Sequence, residues 1–490
     1  MQADFVSTIR IANKNGTGFL RIPDESVDLF PPGCNVEIVL DNKSTFLSQI
    51  IKWGSVGVYV PKEIARNFFG RKVPINLEKI QDSYAKVGSD GRIYIPLDVA
   101  KKLTLRHKDI VRIRVPHGDN AFEAYSEINV RKRGQKIEYM CILRKSLAGE
   151  SIRFGIEKAI KHNSKGHVAQ FLKNTNYAQT AEGNVVVFSR KMPIVINPNI
   201  KLQDIALYMG AFYSDGTKVG NNWSICASTF EQARFYLNMH NMLVKAPKLE
   251  FVVSYTDTHN EREDFLKGRL GSLWTKNVGK YPYKFRIREP RGKIFSKCTN
   301  HGTLVVREHR IAVLEFYNSL LQSLLKEIYR KKDKTLAVDF ICGVLEGDGS
   351  AGNKERGHVL IASNEKEYHA ISQVLDVAGI KHNIRKEDDN KYCIRIGALE
   401  LLRNFDSLKG KIFALYPKRR YLLFQRLQTV GTVKFLLGQE HEPNGRVKAW
   451  LRDNGFVNDT YQLTPKGKKL GASLTKCIRE TEAAKSVTVK

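Results

Sequence analysis

LQDIALYMGAFYSDGTK, Leu202 to Lys218, returns later in the chain as TLAVDFICGVLEGDGSAG, Thr335 to Gly352. Each copy is an apolar helical run that closes on Asp-Gly, at Asp215-Gly216 and at Asp348-Gly349. Each also carries a Gly five residues before the Asp, Gly210 and Gly343. A Gly after a helix commonly forms a left-handed cap, so each helix is expected to stop at its Asp. An Asp there faces the negative end of the helix dipole, at a cost of roughly 0.3–1 kcal/mol, so a positive group is expected to offset it. A mid-helix Gly costs about 1 kcal/mol against Ala but lets two backbones approach. Two such helices side by side bring Asp215 and Asp348 together, and paired carboxylates suit a hard cation such as Mg²⁺ or Mn²⁺. One such helix alone would read equally well as ordinary core. The matched offsets of the two copies favour a site.

The copies YMGAFYSDG (208–216) and ICGVLEGDG (341–349) resemble the paired motif of the LAGLIDADG homing endonucleases. Tyr213 stands where the family often has an acid, and Glu346 keeps that acid in the second copy. The resemblance covers about residues 195–430. It implies an α+β fold with a pseudo-twofold αββαββα domain, Gly210 and Gly343 at the helix interface, and metal held by Asp215 and Asp348 with the adjoining Gly216 and Gly349. The family also places a Lys near each metal. Lys326 and Lys418 are the expected catalytic lysines, with Lys331, Lys332 and Lys218 as competitors for the first.

The 490 residues hold 80 Lys and Arg against 50 Asp and Glu, a net charge of +30, which favours a polyanion partner and nucleic acid before a membrane surface. A hydrophobic share of 42% is ample for several packed cores. Seven scattered Cys without a CxxC pair read as reduced thiols, with no disulfide framework or zinc knuckle. The N-terminus lacks a signal-peptide pattern, and no apolar run reaches the ~20 residues a bilayer requires. A cytoplasmic, nucleoid-associated protein of a prokaryote or archaeon is expected.

Three stretches in the first third share one shape: GFLRIPDESV (18–27), VGVYVPKEIA (56–65) and GRIYIPLDVA (91–100). A strand ends at Pro, which cannot extend a ladder but can open a helical turn. The third copy, continuing KKLTLRHKDIVRIRV, resembles the swapped-hairpin DNA-binding fold of the AbrB and SpoVT regulators. Tandem repeats over 1–118 are expected to close a small β-barrel within one chain. Such a barrel could equally serve packing. Residues 119–195 read as a basic connecting region, with a hairpin turning at Gly134, an amphipathic helix at SIRFGIEKAIKHN and a polar loop, linker or clamp at NSKGHVAQFLKNTN. His162-Asn163-Ser164 is reminiscent of an intein end, a reading set aside because the motif copies lie downstream.

The domain at 196–421 repeats helices and strands after each Asp-Gly. Alternate strand residues Arg385, Lys391 and Arg395 are expected to face DNA. Residues 422–480 resemble a winged helix-turn-helix, with Gly445–Asn454 as recognition helix and Gly455 as its cap. Arg446, Lys448 and Arg452 would lie on that helix, and Lys466, Lys468 and Lys469 in or after a wing. From Lys409 onward 17 Lys and Arg face 6 Asp and Glu, which favours DNA over protein as its partner. Residues 481–490 are expected to fray. The sequence therefore points to a monomeric, metal-dependent, sequence-specific double-strand DNA endonuclease. A non-cleaving DNA-binding regulator, or an RNA maturase or processing factor, are the alternatives.

Overall fold

The computed structural model describes residues 2–11, 17–30, 35–41, 44–53, 55–79, 83–115, 122–143, 145–159, 167–173, 175–180, 183–188, 193–257, 262–288, 300–352, 357–439 and 445–488. The intein-like triplet, Cys34 and Cys298 lie outside them, as does the later part of the basic run after Arg288. The chain is mixed α and β. It forms two compact units, residues 1–162 with 176–180, and residues 163–175 with 181–490.

In the first unit, six antiparallel strands close a barrel in the order Gln2–Ile11, Gly18–Arg21, Ser55–Val60, Ser44–Trp53, Asn35–Leu40 and Lys72–Lys79. Side chains alternate across a strand, so Val36, Ile38 and Leu40 point into one core with Val58, Val60, Val73 and Ile75. Each strand–Pro stretch behaves as its chemistry dictates. Pro23, Pro61 and Pro96 hold φ between −57° and −52° and open, in turn, a 3-10 turn, the helix Lys62–Phe68 and the helix Leu97–Lys102.

The first two copies share the closed barrel. The third pairs with later strands. Arg92–Ile95 lies beside Lys136–Ile142, and Ile110–Val115 lies between Phe122–Glu127 and Ser151–Lys158. The hairpin Asn129–Arg133 with Lys136–Ile142 turns at Gly134, whose φ of +57° suits glycine. Ser151–Lys158 is a strand, not the helix expected from sequence. Its apolar residues Ile152, Phe154 and Ile156 recur with period two and pack on one core, and that period decides against a helix.

The second unit begins where a polar linker was expected. Helix Ala169–Lys173 buries Phe171 and Leu172, and the Phe171 ring packs 5.4 Å from that of Phe316. The duplicated domain follows. Its first half runs from helix Leu202–Asp215 through strand Trp223–Ala227, helix Phe230–Leu243 and strand Leu249–Thr256 to strand Thr303–Glu308 and the long helix Ile311–Lys331. Its second half runs from helix Lys334–Asp348 through strands Gly349–Ala351 and Val359–Asn364, helix Glu365–Ala378 and the hairpin Asn383–Asp388/Lys391–Ile396 to helix Ala398–Arg403.

The two sheets share a plan. After each Asp-Gly the chain turns back beside the next strand, with Gly216 bridged to Ile225 and Gly349 to Ile361. The first half also carries an insertion the sequence reading missed. Helix Glu263–Asn277 leads to strand Tyr283–Arg288, which adds to the sheet parallel to Leu249–Thr256. A parallel neighbour needs such a crossover. Trp274 anchors the helix, fully buried, with its indole N–H donating to the His301 carbonyl at 2.8 Å.

At the C-terminus come helices Pro417–Leu427, Gly431–Leu436, Gly445–Asp453 and Pro465–Thr488. The expected wing is reduced to one bridge, Val457 with Leu463. Lys466, Lys468 and Lys469 lie in the opening turns of the last helix, because Pro465 starts it at once. Residues 481–488 continue that helix instead of fraying.

Candidate active site

Helices Leu202–Asp215 and Lys334–Asp348 pack with their glycines in contact. A Cβ on Gly210 would fall 2.0 Å from the Phe340 carbonyl oxygen, and one on Gly343 would fall 1.9 Å from that of Leu207. Both distances lie far inside any real contact, so only glycine permits this approach. The crossing repeats at the helix ends, where a Cβ on Gly347 would strike Ser214 Oγ at 2.1 Å and Asp215 Oδ2 at 2.8 Å. Asp215 therefore lies against the end of the other motif helix.

The helices do not end in left-handed caps. Gly216 has φ −93° and Gly349 φ −78°, both extended. Glycine is needed there for space. A Cβ on Gly216 would meet Phe212 Cδ2 at 2.2 Å, and one on Gly349 the Leu345 carbonyl at 2.2 Å. The chain passes straight from helix to strand across its own last turn.

The acid pair is electrostatically strained. Burial, and then the charge of Asp348, push the Asp215 carboxyl up from 3.8 to about 7. Asp348 is pushed up by burial and then by Glu367. Two cations act the other way on both acids, Lys218 and Arg419. Arg419 Nη1 donates to the carbonyls of Glu346 at 2.9 Å and Gly347 at 2.8 Å, closing the second motif helix. Its guanidinium also lies 4.1 Å over the Tyr416 ring. The Lys218 ammonium donates to the Tyr213 carbonyl and pairs with Glu367, closing the first motif helix. These are the positive groups that the dipole argument required. They cap the same carbonyl position, two residues before each Asp, from unrelated places in the chain.

Glu346, the acid of the second motif, is fully buried and also pushed up to about 7 by burial. One of its oxygens accepts from the Leu415 N–H at 2.9 Å. Gln232 Nε2 donates to the Glu346 carbonyl at 2.8 Å.

Lys418 is exposed, one residue from the arginine that enters the site. Lys326 is exposed on helix Ile311–Lys331. It is about 12 Å along the axis, at 1.5 Å per residue, from Asn318, whose side chain donates to the Lys218 carbonyl at 3.0 Å. The sequence signal that could have found Arg419 is the run Lys418-Arg419-Arg420, where only the register of a helix decides which cation turns inward.

The sheet registers set the charged face. In the second half Arg395 pairs with Asn383 and Leu360, and Arg385 with Cys393. Lys391 follows on the same side by strand alternation, so Arg385, Lys391 and Arg395 share one face. The first half contributes a face that the sequence reading did not list. Ser224 pairs with Arg307, Cys226 with Val305, and Val252 with both Val305 and Lys284, while Arg286 pairs with Ser254. Asp215 is the second cause, after burial, of the upward shift of Cys226, with Arg307 opposing it, so this face borders the acid pair.

The C-terminal cations divide. Arg446, Arg452, Lys468 and Lys469 are exposed. Lys448 lies 5.1 Å over the Tyr461 ring, and Lys466 donates to the Asn454 carbonyl at 2.8 Å. The helix Gly445–Asp453 is followed by Gly455 with φ +69°, the left-handed stop expected of it.

Two neighbouring carboxylates fit a hard cation that keeps several waters. Among the described residues no three His, Cys, Asp or Glu side chains gather as a larger ligand cluster. No helix among them is long and apolar enough to cross a membrane.

No protein-family model and no curated protein matches the chain. Among solved structures it is similar to I-DmoI in complex with DNA and calcium, at 13% identity and a TM-score of 0.24 over 44% of this chain and 91% of that one. It is also similar to full-length DUF199/WhiA from Thermatoga maritima, at 12% identity and 0.26 over 58% and 94%. Mesophilic variants of the homing endonuclease I-DmoI match at 14% identity and 0.21 over 44% and 97%. At such scores the likeness carries no argument about this chain's activity.

Proposed function

We propose that the chain is a metal-dependent DNA endonuclease of the LAGLIDADG type, a monomer whose duplicated domain presents one acid from each half to the two strands of a duplex. The observation that carries this reading is the glycine-locked helix pair, which sets Asp215 and Asp348 side by side with Lys218 and Arg419 beside them. A buried acid held against the charge of a second acid is a poor structural choice and a good cation site. Asp215 and Asp348, with the backbone at Gly216 and Gly349, would hold Mg²⁺ or Mn²⁺. The ion would activate a water and stabilise charge on a phosphodiester. Lys218 and Arg419 supply fixed positive charge where a phosphate would approach. The basic faces of the two sheets, with Arg307, Lys284, Arg286, Arg385, Lys391 and Arg395, would follow the DNA backbone. The barrel repeats and the C-terminal helices would add DNA contacts.

The test is cleavage of a randomised duplex library with Mg²⁺ by wild type, Asp215→Asn and Asp348→Asn. Site-specific double-strand cuts by wild type, lost in both variants, are the expected result. Sequence-selective binding without cuts, unchanged by either substitution, would instead identify a DNA-binding regulator. Preference for folded RNA over duplex DNA in the same binding assay would support an RNA-processing role.

A further inference from the structure

The two halves of the site solve the same problem with different chemistry. Thr229 and Asn364 are equivalent N-caps of the helices that follow strands Trp223–Ala227 and Val359–Asn364, Thr229 accepting from the Gln232 amide and Asn364 from those of Lys366 and Glu367. Three residues on stand Gln232 and Glu367. Each reaches toward the other half's motif helix, at the carbonyl two residues before the Asp. Gln232 carries its own N–H₂ and donates directly to the Glu346 carbonyl. Glu367 can only accept, so it cannot bond the Tyr213 carbonyl by its side chain. Lys218 fills that gap, donating to the Tyr213 carbonyl and to Glu367 at once.

The consequence is a cation beside the acid pair that a carboxylate holds in place. Asn364 Nδ2 donates to the other Glu367 oxygen at 2.6 Å, which fixes that carboxylate. The pair is not sealed, since the Lys218 and Glu367 side chains are 27% and 16% exposed. Among the described residues the second half shows no matching latch, because Arg419 is spent on backbone carbonyls and an aromatic face.

We propose that Glu367 is a positioning residue that parks Lys218 over the end of the first motif helix until a backbone phosphate takes the Lys218 ammonium from it. This rests on the nucleic-acid reading above and adds to it an exchangeable ion pair confined to one half. Binding of phosphate then leaves Glu367 facing Asp348 without its cation, so the free protein resists occupancy by weakly held duplexes.

The experiment measures affinity for duplexes retained from a randomised library, in EDTA, from roughly 50 to 200 mM salt. Glu367→Gln keeps the size and the contact to Asn364 but removes the charge. It is expected to bind roughly two- to fivefold tighter, the worth of a partly exposed ion pair. Lys218→Gln is expected to lower the salt slope by about one. In the Lys218→Gln background the Glu367→Gln gain disappears. Glu367→Ala serves as a second variant and is expected to show the same gain with lower thermal stability. A Glu367→Gln variant that binds no tighter, or a gain that persists without Lys218, overturns the proposal, because a purely structural staple would behave in those ways. A wild type that retains no duplex sinks the nucleic-acid reading and this proposal together. A wild type that binds these duplexes in EDTA but does not cut them once Mg²⁺ is supplied removes only the cleavage step.

Discussion

Gly210 and Gly268 show how position decides what a glycine does. Both lie inside helices. A Cβ on Gly268 meets nothing within 4 Å, whereas one on Gly210 meets a backbone carbonyl at 2.0 Å. Gly268→Ala is therefore expected to stabilise the protein by up to about 1 kcal/mol through helix propensity. Gly210→Ala is expected to destabilise it by roughly 3 kcal/mol, since a carbonyl on a packed helix cannot yield cheaply. Chemical denaturation of the two variants checks both signs. Asp215 carries a second prediction. Its folded carboxyl titrates at about 7 against an ordinary 3.8, and Glu346 at about 7 against 4.5. Between those values these two acids hold more protons in the folded protein than in the unfolded chain, so their contribution to stability falls as pH rises from about 4 to about 7, while His240 and His301, lowered by burial, act the other way. In EDTA the thermal midpoint of wild type, taken relative to Asp215→Asn, is expected to drop across that window. Mg²⁺ at pH above 7 is expected to raise the midpoint of wild type and not of Asp215→Asn. A midpoint of wild type that does not fall relative to Asp215→Asn across the window would contradict this account.

At the scale of elements, the ends of the motif helices matter more than their middles. Helix Lys334–Asp348 ends in an acid, and its last carbonyls are bonded by Arg419 and Gln232. Removing Arg419 leaves the carbonyls of two buried residues, Glu346 and Gly347, without a charged donor and leaves Asp348 with one cation fewer. Arg419→Ala is expected to lower stability by about 1–3 kcal/mol. Lys418→Ala, exposed one residue away, is expected to change it by less than about 0.5 kcal/mol. Denaturation midpoints of the pair decide between them, and equal effects would mean that Arg419 does not close the motif helix. Much of the element plan was legible. The strand–Pro–helix shape, the hairpin turning at Gly134 and the helix stop at Gly455 all follow from local rules, and Gly455 has φ +69°. Ser151–Lys158 was misread because three apolar positions at period two sit among charges that also suit a helix. Glu263–Asn277 was missed because Gly268 and Gly271 interrupt its pattern.

For the whole molecule, a charge of +30 on 490 residues predicts strong, salt-sensitive association with duplex DNA. Non-specific affinity is expected to fall by several orders of magnitude between roughly 50 and 200 mM salt. Arg385→Ala and Arg395→Ala, on one sheet face, should each lower the slope of log affinity against log salt by about one. Fluorescence anisotropy across that salt range measures the slope, and an unchanged slope would remove that face from the interface. The sequence by itself determined the paired helices, their glycines, the two acids and the need for a compensating cation. These follow from spacing and from the helix dipole, which act along the chain. Only the tertiary structure decided which cations answer that need. Lys218 lies three residues after its acid, while Arg419 lies more than seventy residues from the acid it serves. Lys218 was one of several candidates beside its motif, and Arg419 was hidden among 80 basic residues whose identities carry no mark of direction. Their roles arise where two halves of a fold meet, and a carbonyl without a partner accepts from whichever donor the packing brings to it.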